Sequence, residues 1–178
     1  MLHLLAACTY ILRVRRSPNP APPPIAFEEY TLPNGLRVIL AEDHAAQVVA
    51  VNVWYRVGSR DEQPGRTGFA HLFEHMMFQG SAHVKKAEHF QLIERAGGTL
   101  NGTTNEDRTN YFQAVPSNRM NLALWLEADR MRSLAVTDSN LANQREAVKE
   151  ERRLRVDNQP YAGAFIEGIP LAFDSTTC

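Results

Sequence analysis

Apolar positions between Phe69 and Met76 recur at helical spacing, with Phe69, Leu72, Phe73 and Met76 on one side and Thr67 available as N-cap. The pattern predicts a short helix within Gly65–Gln79 whose apolar side faces a core. Residues Asn118 to Leu134 carry Met120, Leu124, Trp125, Ala128 and Met131 in the same rhythm and predict a core helix. A further helix is predicted over Leu141–Val156, opened by Asp138 or Ser139 and closed near Asn158-Gln159-Pro160, where proline cannot continue it. Gln144, Ala147, Val148, Glu151 and Leu154 share one of its faces. Glu146, Glu150, Arg153 and Asp157 share another, which is solvated and carries opposite charges one turn apart.

Strand patterns lie near Gly35–Ala41, Val48–Tyr55 and Asn110–Val115, alternating with three or four helices. That order predicts an α+β domain, a sheet with helices packed on one face. His44 falls in the loop joining the first two strands, and His83 and His89, around Lys85-Lys86, read as a solvated helix start.

Before Ile25 the pattern changes. Met1 to Leu12 is apolar but too short to span a membrane, and Arg13, Arg15 and Arg16 follow it where a secretory signal carries its charge first. Ser17-Pro-Asn-Pro-Ala-Pro-Pro-Pro24 is a proline-rich linker. The expected organisation is a leader and linker over residues 1–24 and a domain over 25–178 whose C-terminus is incomplete. Leu5-Ala6-Ala7-Cys8 resembles a bacterial lipoprotein cleavage site and favours the periplasm or cell envelope; an Arg-rich, acid-poor beginning also suits a mitochondrial presequence.

At 178 residues a single domain can bury a core. Nineteen basic and 20 acidic residues leave a net charge of −1, which gives no reason to expect nucleic acid as a partner. The two cysteines, Cys8 and Cys178, stand near opposite ends and define no disulfide framework.

The chemistry concentrates in His71-Leu72-Phe73-Glu74-His75. Histidines at i and i+4 lie one above the other on a helix, so both imidazoles can reach one ion, while Glu74 stands close enough to handle the proton of a bound water. A catalytic zinc takes three protein ligands and keeps one position open, so a third ligand must come from elsewhere. Glu151 is the candidate, because a carboxylate on a mostly apolar helix face needs a cation. A metal would serve; so would Arg155, one turn on, in an ordinary ion pair.

Together these residues resemble the pitrilysin, or insulinase, family of zinc peptidases, which includes the mitochondrial processing peptidase. Leu32–Leu40 and Val48–Tyr55 are similar to the first two strands of its catalytic domain, and Gly58-Ser-Arg-Asp-Glu62 leads into the His-x-x-Glu-His helix as it does there. Gly97–Tyr111 resembles the segment that runs beside bound substrate. Arg145–Leu154 and Asn158–Tyr161 resemble the helix of the distal glutamate ligand and the turn after it. The resemblance implies His71, His75 and Glu151 as zinc ligands, Glu74 as general base and Asn101 at the substrate edge. It also implies a peptide or unfolded polypeptide as substrate and a second homologous domain or subunit as partner. Gln144 replaces an acid that many members carry two turns before the ligand, so it can hydrogen-bond from behind the site but adds no charge. Asn101-Gly-Thr103 is a glycosylation sequon in form, yet its residues fit the substrate edge.

The expected activity is that of a zinc metalloendopeptidase. Two other readings stand beside it. S-ribosylhomocysteine lyase shares the five-residue motif but needs a cysteine in mid-fold, which this chain lacks. An inactive fragment, or a non-catalytic family subunit, is the other, since members pair two such domains and this chain holds one.

Overall fold

The computed structural model describes residues 24–172, so the leader and most of the linker, both cysteines and the last six residues lie outside the described residues. The chain divides after Ala45 into two units. In the first, β1 (Glu28–Thr31) pairs antiparallel with β2 (Arg37–Leu40), Glu28 opposite Leu40 and Thr31 opposite Arg37. β1 is not predicted by the sequence pattern, because its residues, Glu-Glu-Tyr-Thr, lack apolar alternation and find their strand geometry only through the partner.

The second unit runs β3 (Val48–Tyr55), α1 (Phe69–Met76), α2 (Glu88–Arg95), β4 (Thr99–Thr104), β5 (Thr109–Pro116), α3 (Met120–Ser133), α4 (Asp138–Arg152) and α5 (Ala162–Ala172). α4 continues into a π-helical turn over Arg153–Asp157. The three strands form one antiparallel sheet in the order β3-β5-β4. Register places Val51, Gln113 and Leu100 in one row and Val53, Tyr111 and Gly102 in the next.

These rows lie on the face that the helices cover, where Val84, Ile93, Val115, Ala123 and Leu126 form the core with Val51, Leu92, Leu100 and Leu122 packed against them. Met76, Ile93, Leu126 and Val115 are fully buried, each worth roughly 1.5–3 kcal/mol of burial. Trp54 and Phe112, at alternate positions of the sheet, are exposed. The α+β class, with helices on one face of the sheet, is the one the strand and helix pattern predicts.

α3 departs from expectation. Met120, Leu124, Trp125 and Met131 are exposed, as is Ala128, and the helix instead buries Ala123, Leu126, Glu127, Asp129 and Arg130. Apolar spacing alone cannot choose between two stripes on one helix. The choice falls to the sheet, because Gln113 on β5 donates its side-chain amide to Glu127 Oε1 at 2.9 Å and to the carbonyl of Ala123 at 3.1 Å. Glu127 and Arg130 are 2% and 3% exposed, the guanidinium Nε donates to Glu127 Oε2 at 2.9 Å, and its charge lies over the rings of Tyr111 (4.4 Å) and Phe78 (5.2 Å).

His89 is the second correction: it is buried rather than solvated, with Nε2 at 3.3 Å from Gln113 Oε1. Since the Gln113 amide nitrogen is spent on Ala123 and Glu127, its oxygen is the acceptor and His89 Nε2 carries the proton. Burial, with the Arg130 charge added, pushes the imidazole down to about 4. His83 is exposed as expected, and its Nδ1 lies 2.6 Å from Asp129, whose carboxyl is held low by Ser81 and His83.

Candidate metal centre

α1 is only eight residues long and carries His71, Glu74 and His75 on one side. Its apolar side is mixed: Leu72 and Met76 are buried as predicted, whereas Phe69 and Phe73 are half-exposed and line a pocket of about 430 Å³ with Tyr55, Met77 and Tyr111. Thr67 does not cap it. The N-cap is Gly68, at φ 91°, and the first amides are satisfied from outside the helix, with Glu62 accepting from Gly68 N and Ala70 N, each at 2.7 Å. Glu62 reaches there because Ser59 and Arg60 donate backbone bonds of 3.0 Å to the β4–β5 turn, at Asn105 and Glu106. Gly58 makes that approach possible, for a Cβ on it would stand 2.3 Å from the Glu106 carbonyl oxygen.

α4 brings the third group. Thr137, not Asp138 or Ser139, is its cap, accepting from Asn140 N at 3.2 Å. Asn140 in turn donates to the Gln79 and Ala135 carbonyls at 3.3 and 3.0 Å, which ties the start of α4 to the segment that follows α1. From that anchor α4 packs along α1, and Glu151 arrives beside the two histidines.

The three donor atoms close a triangle. His71 Nε2 and His75 Nε2 lie 3.2 Å apart, and Glu151 Oε2 lies 3.4 Å from the first and 3.2 Å from the second. Donors held about 2.0–2.2 Å from a tetrahedral ion lie roughly 3.3–3.6 Å from one another, so the triangle is close to the size of one face of a zinc site. Two imidazole nitrogens and a carboxylate oxygen are also the donors zinc prefers, and the residues present fit the metal. Among the described residues these three form the only group of histidine, cysteine and acidic side chains able to hold an ion.

Glu151 faces the two histidines and Arg155 at once. Its Oε2 faces the histidines while Oε1 takes the Arg155 guanidinium at 2.7 Å, and the carboxylate is 20% exposed. Arg155 neutralises and orients the carboxylate without occupying the oxygen turned to the histidines.

Glu74 points toward the sheet edge, where Thr104 Oγ1 donates to its Oε2 at 2.5 Å. A Cβ on Gly102 would stand 3.2 Å from Glu74 Cγ and 3.2 Å from Tyr111 Cδ1, so strand and helix approach closely at this carboxylate. Tyr111 is buried there, and burial pushes its hydroxyl above the usual phenol range. Asn101 is exposed on β4, its Oδ1 accepting from Gly102 N at 2.9 Å. Gln144 is buried but turns its amide nitrogen to Asn143 Oδ1 at 2.8 Å, so the hydrogen bond expected from behind the site goes to a neighbour on its own helix. Thr104 was not among the residues singled out from the sequence; nothing local marks it, because its partner is thirty residues away.

Two histidines and a glutamate from separate helices, converging on one point beside a further glutamate, are the constellation of a metal-dependent hydrolase carried on an α+β sheet. Comparison with known proteins agrees. The family model for insulinase (peptidase family M16) matches residues 37–165. "Zinc protease PqqE" of Helicobacter pylori is 37% identical over 134 residues, 75% of this chain and 30% of that protein. "Uncharacterized zinc protease YmxG" of Bacillus subtilis is 32% identical over 131 residues, 74% of this chain and 32% of that protein. "Probable mitochondrial-processing peptidase subunit beta" of Arabidopsis thaliana is 34% identical over 121 residues, 68% and 23%. The crystal structure of a protease from Helicobacter pylori superposes with a TM-score of 0.74 at 36% identity, covering 77% of this chain and 33% of that one. The chain belongs to the insulinase family, peptidase family M16, a family of zinc metallopeptidases. It spans about a third of the length of the curated relatives it matches.

Proposed function

We propose that this chain forms the metal-binding part of a zinc metalloendopeptidase, with His71, His75 and Glu151 as ligands and Glu74 as general base. The observation that carries the reading is the 3.2–3.4 Å triangle of donor atoms drawn from two helices. Bound zinc supplies a Lewis acid that polarises the scissile carbonyl and acidifies a water. Glu74, one position before His75, accepts the proton of the attacking water and returns it to the leaving amine. Arg155, bonded to Oε1, keeps Glu151 aimed at the histidines.

Substrate is a peptide or unfolded polypeptide in extended form. β4 is an edge strand among the described residues, since the sheet order is β3-β5-β4, and a peptide can add to it through main-chain hydrogen bonds with Asn101 at that edge. Gln144 leaves the site with one negative charge fewer than a glutamate there would supply.

A second reading rests on the one-third span: a site that needs water excluded from both sides is completed by a second homologous domain or subunit, and without it the chain is an inactive or non-catalytic partner. Metal analysis of the purified chain, beside His71→Ala and Glu151→Gln, tests the first reading. Near-stoichiometric zinc, reduced in both variants, is the expected result, and a peptide-cleavage assay on the same samples then separates enzyme from partner. A folded chain without zinc would overturn the metal site.

A further inference from the structure

The bond between Thr104 and Glu74 has a direction that the hydroxyl protons settle. Thr104 Oγ1 lies 2.5 Å from Glu74 Oε2 and 3.3 Å from Thr109 Oγ1, its register partner across β4 and β5. Thr109 Oγ1 in turn lies 3.0 Å from the Val57 carbonyl oxygen, which has no proton to give. Each threonine has one hydroxyl proton. That of Thr109 therefore goes to Val57, and that of Thr104 goes to the carboxylate, as the short distance of a charge-assisted O–H···O⁻ bond requires.

We propose that Thr104 is a positioning residue for Glu74, holding Oε2 so that Oε1 is the oxygen left to face a substrate water. This inference rests on the reading of Glu74 as general base. Three features make Thr104 suited to the task. It is β-branched and sits in a strand, so its χ1 is stiff and its hydroxyl stays where the backbone puts it. Its strand is paired along its whole length with β5, whose Thr109 is itself buried and anchored to Val57. Gly102, two residues earlier on the same face, leaves no side chain between strand and helix, so the Glu74 stem is confined from one side while its oxygen is held from the other. Among the described residues Oε1 has no protein hydrogen-bond partner.

The decisive experiment is a double-mutant cycle on the chain as purified, with zinc content measured on every sample. Thr104→Val removes the hydroxyl at nearly constant shape, Thr104→Ser retains it, and Glu74→Ala removes its acceptor. Thr104→Val is expected to lower the thermal midpoint by about 3–6 °C with Glu74 present and by no more than about 1–2 °C in the Glu74→Ala background, as loss of a hydrogen bond to a charged group implies for a domain of this size. Zinc content should not change, because Thr104 touches no ligand. With a cleaved peptide, Thr104→Val should reduce kcat by about 10- to 100-fold at a KM within about twofold, and Thr104→Ser should restore most of it.

Equal thermal effects in both backgrounds would overturn the proposal, as would unchanged kcat in Thr104→Val. Loss of zinc in Thr104→Val would also overturn it, by placing the effect on the ligand set. If the chain takes up zinc but cleaves no peptide, the thermal cycle and the zinc content decide alone. If the unsubstituted chain takes up no zinc, the peptidase reading itself fails and the positioning role goes with it; additivity in a zinc-loaded chain sinks only the role of Thr104.

Discussion

The Glu127–Arg130 pair and the His71–His75–Glu151 triangle are built from similar materials, carboxylate against nitrogen donors, yet they end in opposite conditions. In the first, the buried carboxylate accepts from the Arg130 Nε and the Gln113 amide, and the guanidinium lies against the buried Tyr111 ring and the partly buried Phe78 ring. Burial raises the Glu127 carboxyl while Arg130 pulls it back, and of the pair's atoms Arg130 Nη1 alone is left buried without a hydrogen-bond partner among the described residues. In the second, two imidazole nitrogens and a carboxylate oxygen face one another at 3.2–3.4 Å near the surface, about the size of one face of a zinc site. A carboxylate paired with a buried guanidinium serves the fold, whereas donor atoms crowded near the surface have the geometry that would suit a metal ion.

Breaking the closed cluster should have the larger effect. Arg130→Met leaves Glu127 buried and unpaired and should cost about 3–5 kcal/mol in urea unfolding. Zinc bound by whatever fraction stays folded should be unchanged. Equal loss of zinc affinity in the folded protein would mean the two clusters are one unit.

Acid probes the same region more gently. His89 is held near 4 in the fold against 6.5 in the unfolded chain, so the unfolded state binds the extra proton between those values. Its contribution is complete above pH 6.5 and is lost as pH falls toward 4, amounting to about 3 kcal/mol. His89→Gln should therefore flatten the pH dependence of the urea midpoint over that window, and an unchanged slope would remove His89 from the account.

At the open cluster, Glu151→Gln should weaken zinc by more than about 100-fold, since a lost ligand costs more than a lost supporting contact, while the fold stays near its original midpoint in metal-free buffer. Competition with a metal-binding dye reads this directly. The smallest effect is expected for Arg155→Ala, whose guanidinium is largely exposed: about two- to fivefold weaker zinc, in keeping with a surface pair worth less than about 1 kcal/mol. A loss as large as that of Glu151→Gln would show Arg155 to be part of the site.

How much of this was legible follows from distance along the chain. His71, Glu74 and His75 share a helix turn, so local periodicity alone brings them together, and the charge on a mostly apolar face singled out Glu151. Even Arg155, offered as an alternative partner for Glu151, is present, because i and i+4 on a helix are neighbours in any tertiary setting. By contrast the local pattern points to the wrong inward face of α3, a solvated His89 and a Thr67 cap on α1. Each was decided by a residue outside the helix concerned: Gln113 for α3 and His89, Glu62 for the helix start.

The sequence by itself determined that His71, Glu74 and His75 share one side of a helix, because the spacing of a helix is a property of the backbone and carries side chains to fixed relative positions. The tertiary structure alone decided that Glu151 reaches the histidines and that Thr104 hydrogen-bonds Glu74. Those contacts depend on how α4 and β4 dock against α1, and docking is set by the summed packing of the whole sheet and its helices, which no single stretch of sequence contains.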